Sequence, residues 1–322
     1  MNNKTWSLKD NIVYGGLYDL NEENIEIRKL HLLSNNYLHT ANDYNNSLEV
    51  ISRASAESKL KPKIFSKVFY NYPNLRSKRY KSIYLQMDEI LSRLKIIPED
   101  WILQISSYCN PTNLLSKNAE IFFERIKNEF GISRVLFEYY PVYSYNFQGL
   151  LAAKNYYRDL IDIGIIGYQN KFSGVFDENL ILNLSENNFT VSFIGFLGLS
   201  KRLLLKNIFY KFNKIDYLNQ NIIYSLESNE HFKNLFLITK TSSSKNFLDL
   251  QQRIKKAENN SLVDIKKYNK IKQIIDYKYN DPYFSKYYLF LYFFNFKLIY
   301  IQLINIILIL FYKKIIKNLW MD

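Results

Sequence analysis

Three short stretches of this chain carry side chains able to move a proton or hold an anion. The first is LHTANDYNNS, Leu38–Ser47, an apolar run entering a polar turn that holds His39 and Tyr44. The second is KIFSKV, Lys63–Val68, in which Lys67 closes an apolar run. The third is KTSSSK, Lys240–Lys245, two lysines bracketing hydroxyls just ahead of an apolar helical pattern. A lysine among apolar side chains needs a polar partner, because an unpaired buried ammonium is costly. A tyrosine one strand away meets that need, and the cation in turn stabilises its phenolate and lowers its pKa. The alternative is a Lys67 that extends its head group to solvent from a rim. In KTSSSK, hydroxyls, backbone N–H groups and cations converge where a helix begins, which suits a phosphate. An ordinary serine N-cap with solvated lysines accounts for the same residues.

Such side chains act together only if the surrounding elements bring their ends to one face. Short β-rich runs alternate with amphipathic stretches from the start. Strands are expected at Asn11–Gly16, Tyr37–Ala41, Lys63–Val68, Trp101–Ser107, Arg134–Tyr139, Ile163–Tyr168, Thr190–Leu197 and Leu235–Thr239. Helices are expected at Glu22–Leu33, Ser47–Leu60, Arg79–Leu94, Ala119–Phe130 and Phe147–Asp162. In the run Arg79–Leu94, Ile83, Met87, Ile90, Leu91 and Leu94 recur at helical spacing, and Gly131 sits where a helix-ending glycine belongs. Alternation without tandem strands predicts a parallel sheet clothed by helices. Eight such units before Leu250 suit a closed (β/α)8 barrel. An open nucleotide-binding sheet would need a glycine-rich turn, and Gly195-Phe-Leu-Gly198 lacks its third glycine and downstream acid.

In a barrel of this kind the active site lies at the C-terminal strand ends. Those ends carry His39 leading to Tyr44, then Lys67, then Ser106 and Ser107. The sixth strand runs into Gln169, Asn170 and Lys171, and the eighth into Lys240, Thr241, Ser242 and Lys245.

Composition narrows the alternatives. Cys109 is the only cysteine, so no intramolecular disulfide forms, and with His31, His39 and His231 a His/Cys zinc site is not expected. The net charge of +13 is unevenly spread: Gln251–Asp322 holds 13 Lys+Arg against 5 Asp+Glu, leaving only +5 on the first 250 residues. There is no basic stripe interleaved with aromatics, so nucleic acid is not the expected partner. The polar opening MNNKTWSLKD is not a signal peptide.

The tail differs in kind. Residues 1–258 form the barrel region, and residues 259–322 a lysine-rich helical pattern followed by a hydrophobic extension. Tyr287–Tyr312 is 26 residues of mostly large apolar side chains, interrupted by Asn295, Lys297, Gln302 and Asn305. A spanning helix needs about 20 apolar residues. Three placements stay open: a membrane anchor, a membrane-surface or partner-docking helix, and a helix closing the barrel. Five lysines in the 20 residues before Tyr287 and three after Tyr312 favour a cytoplasmic barrel.

Taken in order, these pieces resemble the aldo-keto reductase family of NADP-dependent (β/α)8 barrels. Its second strand typically ends in Asp-Thr-Ala followed by a tyrosine; here the series is His39-Thr40-Ala41-Asn-Asp-Tyr44. Its third strand ends in a lysine, as at Lys67. Its fourth unit reads like Leu91-Ser-Arg93-Leu94 … Leu103-Gln104-Ile105-Ser106 with histidine last, and LITKTSSSKNFLDL, Leu237–Leu250, is similar to its adenosine-phosphate turn. The resemblance covers about Asn11 to Leu250 and leaves the tail out.

The resemblance implies that Tyr44 protonates a carbonyl oxygen while the nicotinamide gives its carbon a hydride, with Lys67 tuning the tyrosine. It implies that Lys240, Thr241, Ser242, Lys245 and Asn170 hold NADP(H), and that the partner is a small carbonyl compound. Two positions depart from the pattern: His39 replaces the aspartate that holds the lysine, and Ser106 replaces the histidine that orients the carbonyl. Two functions therefore stand open. One is NADPH-dependent reduction of an aldehyde or ketone, sugar-like compounds included; the other is an inactive barrel serving as a binding or scaffolding module, with membrane contact through 287–312.

Overall fold

The computed structural model describes residues 7–69, 82–106, 114–139, 147–168, 184, 186–194, 234–241 and 243–258. After a short helix α1 (Leu8–Asn11), the chain alternates as expected. The order is β1 (Ile12–Gly15), α2 (Glu22–Leu33), β2 (Tyr37–Ala41), α3 (Ser47–Ser58), β3 (Lys63–Phe69) and α4 (Ile83–Leu94). There follow β4 (Trp101–Ser106), α5 (Lys117–Phe130), β5 (Arg134–Tyr139), α6 (Phe147–Tyr156) and β6 (Asp162–Tyr168). The last described elements are β7 (Val191–Ile194), β8 (Leu235–Lys240) and α7 (Ser244–Glu258).

All eight strands are parallel and pair in chain order, and β1 pairs with both β2 and β8 to close the barrel. This is the (β/α)8 architecture expected from the alternation. Because strand side chains alternate between faces, the apolar residues form two separate cores. Val13, Phe65, Ile102, Leu136, Ile166, Phe236 and Ile238 fill the lumen. Leu38, Leu103, Val135, Ile163 and Leu237 face outward, into the buried stripes of the helices at Ile25, Ile51, Met87, Phe123 and Ile126. At about 25 cal/mol per Å² of apolar area buried, this double packing is the dominant favourable term of the fold.

Local chemistry fixes the helix ends. Asn21, Ser82 and Ser116 accept N-cap hydrogen bonds from Asn24, Leu85 and Ala119 at 2.8, 3.2 and 3.2 Å. Gly131 ends α5 at φ +67, as its position foretold, and a Cβ there would lie 2.6 Å from Pro98 Cβ. Two helices are shorter than expected. α3 stops at Ser58 because Lys59 turns left-handed. The expected helix Phe147–Asp162 stops at Tyr156: the Leu160 and Ile161 amides both fold back on the Tyr157 carbonyl at 2.9 Å, and Asp162 opens β6.

Asp162 anchors the N-terminal face of the barrel. It accepts from Lys154 at 2.8 Å, Arg134 at 3.0 Å and Thr190 at 2.5 Å. Burial alone would raise its pKa, but these hydrogen bonds and the two cations together outweigh it and hold the carboxyl below its ordinary 3.8. Among the described residues no helix is long and apolar enough to cross a membrane. Residues 259–322, the extension with its 287–312 segment, lie outside the described residues.

Candidate active site

The strand register brings the first two candidate stretches together. His39 is level with Phe65, Ala41 with Lys67, and Lys67 with Gln104 on the next strand. Phe65 and Ile102 line the lumen, so by strand alternation Lys67 and Gln104 continue the same lining one step toward the C-terminal mouth. His39, Lys67 and Gln104 are all buried, at 4%, 8% and 0% exposure.

His39 Nε2 donates to Gln104 Oε1 at 2.9 Å. Its ring meets Phe65 edge-on at 5.8 Å and lies 5.8 Å from the Tyr44 ring. The imidazole standing where the resemblance expects a carboxylate therefore joins a hydrogen bond between β2 and β4. Ser106 ends β4 opposite Phe69, two positions beyond Gln104.

The turn after β2 holds Tyr44 through its backbone. The Tyr44 N–H donates to Ala41 O at 3.2 Å and its carbonyl accepts from the Ser47 N–H at 2.8 Å. Thr40 and Ser47 hydroxyls pair at 2.9 Å, and Asn42 Nδ2 reaches Glu89 Oε2 on α4 at 2.9 Å. The Tyr44 ring is left half-buried beside His39, with Tyr18 on another side at 4.9 Å.

Tyr18 also links this corner to the third stretch. Lys240 is level with Gly15, and its aliphatic stem packs on Gly16, where a Cβ would come within 2.8 Å of Lys240 Cγ. Gly16 adopts φ +83, a conformation open to glycine. The Lys240 Nζ then reaches over the Tyr18 ring at 5.9 Å, near the outer range of a cation–π contact.

Within KTSSSK the residues divide by role. Ser243 caps α7, its Oγ accepting from the Asn246 N–H at 3.2 Å. Lys240 and Lys245 are exposed, whereas Thr241 is buried and its Oγ1 lies 2.6 Å from His31 Nε2. Ser242 and Asn170 lie outside the described residues. Among the described residues no group of three or more His, Cys, Asp or Glu side chains gathers as a metal would require.

Three features of this region escaped the sequence reading. Gln104 carried a signal, since it precedes Ser106 by two positions and so shares its strand face. Tyr18 follows two positive-φ residues, Gly16 and Leu17, and no periodicity marks it. The third is a polar cluster behind the barrel wall, built on Arg28 and His31 of α2, both fully buried.

Comparison with solved structures agrees with this architecture. An aldo-keto reductase from Klebsiella pneumoniae in complex with NADPH is 12% identical, with TM-score 0.55 over 83% of this chain and 91% of that one. A Klebsiella pneumoniae aldo/keto reductase with NADP and acetate is also 12% identical, with TM-score 0.51 over 81% and 91%. The holo form of aldo-keto reductase AKR11C1 from Bacillus halodurans is 15% identical, with TM-score 0.50 over 82% and 91%. No family model and no curated protein matches the chain. The chain thus has an aldo-keto-reductase-like fold, a (β/α)8 barrel.

Proposed function

We propose that the protein is an aldo-keto-reductase-like oxidoreductase that uses NADPH to reduce a small aldehyde or ketone, sugar-like carbonyl compounds being the first candidates. One observation carries this reading. Tyr44, His39 and Gln104 form a contiguous line at the C-terminal mouth, with Lys67 level with Gln104 and Lys240 one aromatic ring away.

Two exposed ammonium groups beside the start of a 15-residue helix suit a phosphate dianion in charge and reach. Lys240 and Lys245 would hold it, with Ser243 shaping the turn. A nicotinamide cofactor supplies the hydride when bound. In this reading the half-buried Tyr44 phenol delivers its proton to the carbonyl oxygen, and Lys67 favours the phenolate that remains. His39 gives the mouth a hydrogen-bond donor in place of a carboxylate, so the proton-transfer corner carries one negative charge fewer. Serine at position 106 removes a donor near the developing alkoxide, and loss of one such donor costs on the order of 10²–10³ in rate. Slow turnover follows.

The test is NADPH oxidation by the full chain against a panel of aldehydes and aldoses, with Tyr44→Phe beside it. Turnover that Tyr44→Phe lowers at least 100-fold supports the reading, and turnover unchanged in that variant refutes it. The His39–Gln104 hydrogen bond favours a second reading, a barrel that binds without turning over. Tight NADPH binding with no oxidation of any panel member would select it.

A further inference from the structure

Arg28 is a fully buried guanidinium on an outer helix of the barrel, and among the described residues no carboxylate pairs with it. Its Nη1 donates to the Tyr14 carbonyl at 3.0 Å and lies 3.3 Å from His31 Nδ1, and its Nη2 donates to the Gly16 carbonyl at 2.5 Å. Its Nε is buried with no hydrogen-bond partner among the described residues. A buried charge held by two carbonyl oxygens and an imidazole nitrogen, with no carboxylate among the described residues, is a costly way to pack a helix on a sheet. What it holds is therefore informative.

The donor at Arg28 fixes the roles of His31. Nδ1 accepts from the guanidinium, so Nε2 carries the proton and donates to Thr241 Oγ1 at 2.6 Å. The ring is clamped on its faces as well, stacked on Tyr14 at 4.4 Å and 7° and tilted against Phe247 at 5.3 Å. Tyr14 in turn accepts from Gln251 Nε2 of α7 at 2.6 Å. Arg28 and His31, spaced i, i+3 on α2, thus grip two neighbouring strand ends at once. Arg28 holds the turn after β1 by the Gly16 carbonyl. His31 holds the residue after β8.

Lys240 lies between the two grips. Its stem rests on Gly16, whose carbonyl Arg28 orients, and its next residue is Thr241, tied to His31. We infer that Arg28, His31 and Thr241 are positioning residues that set the Lys240–Lys245 turn for the 2′-phosphate of the cofactor from behind the barrel wall. The inference rests on the NADPH reading above. Thr241 then acts through the turn and leaves contact with the phosphate to the lysines.

The experiment is a pair of fluorescence titrations, NADPH and NADH, on the full chain and on Thr241→Val and Thr241→Ser. Valine keeps the shape and β-branching of threonine and removes the hydroxyl, while serine keeps the hydroxyl. The expected result is an NADPH Kd raised at least fivefold by Thr241→Val, an NADH Kd changed less than twofold, and recovery of NADPH affinity in Thr241→Ser. Equal loss of both nucleotides, or no loss, overturns the inference while leaving the cofactor reading standing. Absence of NADPH binding by the wild-type chain overturns both. Should Thr241→Val not fold, His31→Phe keeps an aromatic ring on Tyr14, removes both ring nitrogens and is read by the same NADPH-to-NADH ratio.

Discussion

His39 on β2 and Gln104 on β4 are joined by a 2.9 Å hydrogen bond that spans the intervening strand β3, where Lys67 is level with Gln104. Strands two places apart touch only through side chains in the lumen. The contact therefore cross-braces the part of the barrel that carries Tyr44 and Lys67. It also explains how an imidazole occupies a position that resemblance assigns to a carboxylate: it has a neutral acceptor to bond.

Replacing His39 by phenylalanine keeps the aromatic packing on Phe65 and removes the donor to Gln104 Oε1. Losing one side of a buried hydrogen bond costs about 1–3 kcal/mol. Urea unfolding of His39→Phe is expected to show that loss in midpoint with an unchanged m-value. A variant as stable as the wild type would mean that the brace carries no weight.

Stability should fall on mild acidification because of His31. Burial, with the Arg28 charge adding to it, holds the His31 pKa well below its ordinary 6.5. Its ring faces Arg28, Tyr14, Thr241 and Phe247. Above pH 6.5 both folded and unfolded chains leave it neutral, and its contribution is complete. Below that value the unfolded chain takes up a proton the folded chain refuses, so stability declines by up to about 1.4 kcal/mol per pH unit. Denaturant midpoints compared at pH 7.5 and below 6.5 measure this, and in His31→Gln the slope should be shallower. Identical slopes in the two proteins would contradict the assignment.

Asp162 acts in the same direction as His31, but further down the acid limb. Its carboxyl is held below 3.8 in the folded chain, so its contribution is present above the unfolded value and disappears as pH falls through the folded one. Asp162→Asn leaves Lys154 and Arg134 without their shared carboxylate and is expected to cost about 1–3 kcal/mol near neutral pH. It should also weaken the acid dependence of stability, which thermal unfolding at pH 3 and pH 7 would measure.

Much of this was legible in the sequence, for physical reasons. The strand order and closure follow from alternation, because period-2 and period-3.6 apolar patterns report which face each element buries. The overrun of the α6 helix came from Tyr157, Leu160 and Ile161, whose apolar spacing continues a helix while Asp162 is drawn into the charged cluster at the barrel base. The succession of His39, Tyr44 and Lys67 was visible because each sits at a strand end or the turn after it. The position of Gln104 on the face of Ser106 was readable, but its bond to His39 was hidden, since a contact between strands two places apart is not encoded in local spacing. Arg28 was hidden by its type: an arginine on an amphipathic helix reads as a solvated side chain, and here it is fully buried.

If NADPH docks at the mouth of this barrel through Lys240 and Lys245, titration of the full chain with the nucleotide by fluorescence reads it out. Each charge-assisted contact contributes about 1.5–3 kcal/mol. Micromolar binding that Lys240→Ala/Lys245→Ala weakens by 10-fold or more is the predicted result. Binding unaffected by the double substitution, or no binding by the folded wild-type chain, would rule out a phosphate site at these lysines.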